Sequence, residues 1–407
     1  MNSETNELIK LENNLEKSTN FQTSVNLVKC SIGIGVLALP YYFNAAGYVL
    51  SSIIMVSITT LTFYSTLKII ELAEMKGLKE TDYEILYKED VGKWAYLYFE
   101  ICMSVGYGGV CACYVIFCIT FLKNVFGTTD ILHTLIYALF SLCITIPLSF
   151  IRKFEFFVKY SFFANVLMLI VFVSVYHYCL TNINVENLDN LANFSEVFGI
   201  LGVFLFAFES PGQILQIRNS MRNREDFKWT FLIVNTMVML LYVSFSICCC
   251  FGFTSVQLTQ NILTGFGSLS HFSLMLEGLY ALALMISYPM QLNPLLLVLE
   301  NIPRVKIFLS KNQDNCFKKN SVRIIVSLII FPCGLFITNL ADFVSLLGTY
   351  CGLIMQFVFP LWTYNIYMRD RLSLRVKYFH YFVIFVSIIA TISASYSSIL
   401  TLIKDYE

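Results

Sequence analysis

Cys30-Ser31-Ile32-Gly33-Ile34-Gly35-Val36-Leu37-Ala38-Leu39-Pro40 lies inside a run, 30–67, without a single charged residue. Two glycines and a proline within eight residues are poor continuous helix, and they free backbone N–H and C=O groups that a helix would consume. At membrane depth such groups persist only where they line a cavity or a ligand site. A second apolar stretch is broken in the same way by Phe208-Glu209-Ser210-Pro211-Gly212. Two interrupted spans at matching positions of two halves point to the substrate site of a secondary transporter.

The surrounding composition makes these breaks intramembrane. The 407-residue chain is 57% hydrophobic and 13% charged, against about a quarter charged in a soluble domain. Runs of about 20 or more residues without Asp, Glu, Lys or Arg recur at 30–67, 101–122, 160–185, 229–275, 278–299, 343–368 and 378–403. Each is long enough for a helix to cross a bilayer, and continuous runs argue against an alternating β-barrel. The chain therefore reads as an all-α polytopic protein of 11 transmembrane helices. They lie near 21–44, 47–69, 94–122, 131–150, 156–180, 197–217, 228–253, 272–299, 321–339, 342–367 and 377–403. Residues 1–20 form a polar tail and 404–407 a short one. The first 20 residues do not read as a cleavable signal, so the first span is expected to serve as one.

Charge orients the bundle. With the N-terminus placed in the cytosol, 22 of the 27 basic residues fall in the tail and in the connections after spans 2, 4, 6, 8 and 10. The opposite loops, 124–130, 181–196 and 254–271, hold none. By the positive-inside rule the N-terminus is cytosolic and the C-terminus is not. The sequon Asn193-Phe194-Ser195 lies in an outer loop, where a glycan can be added. A net charge of zero suggests no nucleic-acid partner. With no phosphate-binding glycine loop followed by Lys-Ser/Thr, ATP is not expected to drive the protein.

Spans 1 and 6 are five apart. Spans 1–5 (about 21–180) and 6–10 (about 197–367) are then expected to be repeats of inverted topology that rock around a midplane site, with span 11 outside them. The candidate residues follow. Freed N–H groups at Gly33, Ile34 and Gly35, beside Ser31, suit a carboxylate, by the logic of anion binding at helix N-termini; close helix packing by small residues is the alternative. Glu209 is a carboxyl in mid-span, where a charge costs roughly 2.5–3.5 kcal/mol and usually faces a cavity. It could carry a proton as the site opens and closes, or pair structurally with Lys29 or Lys159. Freed carbonyls at 206–208 could receive an ammonium, with Phe206 and Phe208 as a lid. Asn26 and Lys29 are candidate ion-coupling groups, although Lys29 could merely snorkel. Tyr288, in Tyr288-Pro289-Met290-Gln291-Leu292-Asn293-Pro294, is a candidate substrate contact in a proline-kinked span. Glu100 and Glu277 read as solvated span ends. Cys248-Cys249-Cys250 reads as packing, and the four histidines show no metal spacing or triad. No catalytic group, metal site or cofactor is expected.

These motifs resemble a family. Asn26-Leu27-Val28-Lys29 followed by Gly33-Ile34-Gly35 and Leu39-Pro40 is similar to the first-span signature of the amino acid/auxin permease family. Phe208-Glu209 with Gly212 and Arg218-Asn219-Ser220-Met221, then Tyr288-Pro289-Met290-Gln291, then 343–360, resemble its proton-coupled and vacuolar branch in spans 6, 8 and 10. The resemblance covers nearly the whole chain. It implies a LeuT-like fold with a 5+5 inverted repeat and broken helices 1 and 6, the span 1 break holding a substrate carboxylate and the span 6 break its amine. It implies transport of a small neutral amino acid in a plasma, vacuolar or lysosomal membrane. The chain departs from the pattern at Asn26, where proton-coupled animal members often carry histidine, at Arg218, where the branch carries glutamate, and at Pro211. Lys29 stands where the sodium-coupled branch has asparagine, so a fixed ammonium replaces the ion. Proton-coupled symport is the leading expectation; a facilitative exchanger and an amino-acid-sensing receptor are the alternatives.

Overall fold

The structure, a computed structural model, describes residues 17–78, 83–128, 130–151, 154–183, 197–208, 211–254, 256–267, 271–302, 305, 316–337 and 340–406. It is helical, with one isolated bridge between Ser18 and Met221 among the described residues. Nine helices in the described residues are long and apolar enough to cross a membrane. The expected spans 1 and 9 are not among them, for a local reason in each. Span 1 is cut into Asn20–Ser31, a 3-10 turn at Ile34–Leu37, and Leu39–Ala46. Span 9 is the shorter apolar segment Asn320–Phe336, whose helix stops at Ile330 just before Pro332.

Span 1 is built from its caps. Thr19 and Gln22 form a reciprocal capping box, satisfying two orphan amides at the helix start. The helix ends because Ile32 and Gly33 are extended. Pro40 then sits in the first turn of Leu39–Ala46, where its missing N–H costs nothing. Gly47, at φ 92°, turns the chain directly into span 2, Tyr48–Met75, a conformation glycine adopts without strain. Span 6 is described as Val197–Ala207 and Pro211–Ser220, the latter beginning at a proline, with Glu209 and Ser210 outside the described residues.

Burial sorts the spans. The apolar windows of span 6 and span 10 are 93% and 83% inside the protein, against 28% for spans 4 and 11. The broken elements are thus central, and spans 4 and 11 present rows such as Leu132, Ile136 and Phe140, or Phe382, Phe385 and Ile389, to the outside, as lipid-facing helices do. Span 8 (His271–Asn301) runs through Pro289 and Pro294 and packs most extensively against span 3 (Lys93–Phe126) and span 5 (Phe154–Thr181).

Spans 6 and 10 cross backbone to backbone. A Cβ on Gly348 would lie 1.9 Å from the Gly202 carbonyl oxygen, and one on Gly202 2.2 Å from that of Ser345. Just beyond this crossing span 10 widens into π turns, Gly348–Gly352 and Ile354–Val358. Gln356 there donates to the Leu205 carbonyl (3.1 Å) and accepts from Thr62 (3.1 Å), while Ser65 donates to its carbonyl. These bonds tie spans 2, 6 and 10 together.

At the end bearing the basic connections, the chain before span 1 is clipped to the end of span 6. Ser18 N–H donates to Ser220 O (2.8 Å), Arg222 N–H to Ser18 O (2.9 Å), and Asn20 Nδ2 to Asp226 Oδ2 (3.0 Å). Arg218, the departure in the span 6 motif, reaches Glu74 of span 2 at 2.7 Å.

Candidate functional site

Three consecutive carbonyls at the span 1 break each receive a side-chain donor. Ser31 O accepts from the Tyr242 hydroxyl (2.6 Å), Ile32 O from Lys29 Nζ (3.2 Å), and Gly33 O from the Tyr280 hydroxyl (2.6 Å). All three donors are buried. An unpaired carbonyl at this depth would cost about 1–3 kcal/mol, and spans 7 and 8 supply the phenols that avoid this. The Ser31 hydroxyl folds back on Leu27 O (3.1 Å), so its carbonyl, not its side chain, is what the residue offers the break.

Lys29 does not snorkel. It is 1% exposed and its Nζ donates to Ile32 O and Met168 Sδ, at 3.2 Å each. Its amine is seated at the break without a carboxylate partner among the described residues. Asn26, one turn earlier, is 0% exposed, and among the described residues neither its Oδ1 nor its Nδ2 has a partner; Thr23 Oγ1 shares this state.

The two breaks touch. A Cβ on Gly35 would meet Phe206 Cδ1 at 3.1 Å and Ala207 Cβ at 3.5 Å, and one on Gly33 would meet the Tyr114 hydroxyl at 3.5 Å. Ile34 is buried in the 3-10 turn between them. The N–H groups that open this turn have no partner inside it. Phe208 packs edge-on against Tyr242, ring centroids 5.2 Å apart. Below the breaks, Cys30 Sγ donates to Gln213 Oε1 (2.5 Å), and Gln213 Nε2 donates to Gln291 Oε1 (2.8 Å), linking spans 1, 6 and 8. Gly212 N–H donates to Tyr107 (3.0 Å), and a Cβ there would lie 2.6 Å from that ring. Leucine at Gly35 is expected to displace Phe206 and raise the KM for substrate at least tenfold. A wild-type KM would place the site elsewhere.

Of the expected site residues, Ser31, Gly33, Ile34, Gly35, Phe206 and Phe208 are brought together, with Lys29 beside them. Glu209 and Asn193 lie outside the described residues. Tyr288 is directed to span 9, its hydroxyl 3.4 Å from Ser327 Oγ. Glu277 is not solvated: it is 1% exposed and accepts from Asn124 Nδ2 at 3.0 Å. The Cys248–Cys250 run does have a neighbour, since Cys179 Sγ is 4.0 Å from Cys249 Sγ. His380 is buried between Tyr64 and Asn365, 2.6 Å from each, away from the breaks. The residues that sequence reasoning missed are Tyr114, Tyr242, Tyr280 and Gln213. Their signal was a phenol or amide in mid-span, whose polar atom must find a partner.

Residues 16–401 match the model of a family described as transmembrane amino acid transporter protein. The chain belongs to this family. It is a family of transporters, not enzymes, and the chain is a multi-pass membrane protein. Vacuolar amino acid transporter 3 of Saccharomyces cerevisiae is 26% identical over 372 residues, covering 84% of this chain and 51% of that protein. Amino acid transporter AVT3B of Arabidopsis thaliana is 22% identical, covering 95% of each. The chain spans about half the length of the yeast relatives it matches. Among solved structures, a substrate-bound Na+-coupled sialic acid symporter aligns with TM-score 0.62 at 12% identity, covering 95% of this chain and 90% of that one. MhsT in complex with L-phenylalanine aligns with TM-score 0.61 at 11% identity, covering 94% and 99%. These likenesses assign the fold.

Proposed function

We propose that this protein moves small neutral amino acids across a membrane by alternating access, coupled to protons. The observation that carries the reading is the span 1 break, where the Lys29 amine and two phenols occupy three successive carbonyls while Gly35 lies against Phe206 and Ala207 of span 6. In this reading a zwitterion is received as the two breaks part, its carboxylate on the N–H groups of Gly33, Ile34 and Gly35 and its ammonium on the carbonyl ends at the breaks. Lys29 provides fixed positive charge where a bound sodium ion would otherwise be needed. Glu209, at the span 6 break, takes up and releases the proton, with Asn26 and Lys29 on the coupling route. The frame is eleven spans in two inverted repeats, with the basic connections and the N-terminus in the cytosol and the Ser18–Ser220 clip closing the cytosolic path. The vacuolar relatives favour a vacuolar or lysosomal membrane.

The test is uptake of a labelled amino acid panel into sodium-free proteoliposomes, with and without an imposed proton gradient. Accumulation that an uncoupler collapses is the expected result. Saturable uptake indifferent to the gradient would make the protein an exchanger, as asparagine in place of histidine at position 26 would favour. Glu209→Gln is expected to retain exchange and lose accumulation at least tenfold; unchanged concentrative uptake would remove Glu209 from coupling.

A further inference from the structure

We propose that Tyr242 is a positioning residue that sets the preference of the site for a primary ammonium group; this rests on the amino acid transport reading above. Ser31 ends the first half of span 1 and Ala207 the first half of span 6. Among the described residues, no helical donor after them reaches their carbonyls. The Tyr242 hydroxyl, from span 7, lies 2.6 Å from Ser31 O and 3.4 Å from Ala207 O. Its ring is fully buried and seated edge-on against Phe208, so the hydroxyl is held in place by packing rather than drawn in by the carbonyls.

One O–H proton cannot satisfy two carbonyls. It goes to Ser31 O at the short distance, and Ala207 O is left with a long, weak contact. Each carbonyl oxygen also keeps a second acceptor position. The phenol thereby holds the ends of two separate helices side by side with acceptor capacity unspent, and a primary ammonium, with three N–H donors, can use both ends at once. An N-methylated amine loses one donor and adds bulk at the point where the helix ends converge. An α-hydroxy acid brings a single donor and no charge. Without the phenol, Ser31 O and Ala207 O are no longer held to each other through a common donor, and the geometric demand for several N–H groups relaxes.

The experiment compares wild type and Tyr242→Phe in proteoliposomes. It measures inhibition of labelled uptake by a neutral amino acid, by its N-methyl derivative and by its α-hydroxy analogue. Phenylalanine keeps the ring contact with Phe208, and the ratio of two inhibition constants does not depend on how much folded carrier is present. In Tyr242→Phe the preference for the primary amine over each analogue is expected to fall about tenfold, the KM for the amino acid to rise by a similar factor, and the maximal rate to stay within about twofold. Tyr176→Phe removes a comparable phenol, bonded to Ser244 at 2.7 Å between spans 5 and 7, and is expected to leave the ratios unchanged. Wild-type ratios in Tyr242→Phe, or a loss of rate with unchanged ratios and KM, overturn the proposal while leaving the transport reading intact. A wild-type chain that neither takes up nor binds any amino acid overturns both.

Discussion

Valine in place of Gly348 is expected to leave little folded carrier in the membrane. The β-carbon would sit 1.9 Å from the Gly202 carbonyl oxygen and 2.8 Å from the Phe206 backbone nitrogen. Both obstructing atoms belong to the main chain of span 6, so no rotamer change relieves the overlap. Overpacking of a well-filled core typically costs about 1–3 kcal/mol. A contact this short against rigid backbone falls at the top of that range or beyond it, because spans 6 and 10 must separate along their crossing. Separation would also pull on Gln356, which joins the π turns of span 10 to Leu205 and to span 2. The check is the yield of monodisperse detergent-solubilised protein and its melting temperature. A wild-type peak and melting point would mean that the crossing tolerates a side chain. Gly92, at φ 82° with nothing within 4 Å of an added Cβ, marks the contrast: its constraint is backbone conformation alone, and alanine there is expected to cost about 1 kcal/mol or so.

The second large effect is expected at Lys29. Methionine is nearly isosteric with the lysine stem, and exchanging a buried charge for an apolar group is often neutral or stabilising for a fold. Ile32 O would lose its donor, at about 1–3 kcal/mol, which a large intramembrane bundle can absorb. Lys29→Met is therefore expected to accumulate at near wild-type levels and yet lose more than tenfold of its gradient-driven uptake, since the fixed charge beside the Gly33–Gly35 N–H groups is gone. The measurement is uptake normalised to purified protein, paired with the melting temperature. Normal accumulation of substrate by Lys29→Met would remove the ammonium from the transport cycle, and a collapsed melting temperature would make its role structural.

Much of the helical frame was legible in the sequence because hydropathy is summed over about 20 residues, and that sum is insensitive to tertiary detail. The breaks were legible for a related reason. Glycine and proline alter backbone hydrogen bonding wherever they stand, so Gly33, Gly35, Pro40 and Pro211 marked the interruptions before any packing was known. Failures came where one residue's environment depends on a distant helix. Glu277 reads as a solvated span end, yet it is buried and Asn124 of span 3 donates to it. Lys29 read equally as a snorkelling residue, because nothing in its own helix reveals that Met168 of span 5 lies against its ammonium.

The sequence by itself determined the all-helical membrane character, the interruption of span 1 and the family, since each rests on local composition or on contiguous motifs. Tertiary structure alone decided which donors meet the freed carbonyls. Tyr242 is 211 residues from Ser31, and Tyr280 is 247 from Gly33. The physical reason is that a carbonyl freed at membrane depth must be satisfied by whatever polar atom the packing delivers, and packing joins spans that sequence distance keeps far apart.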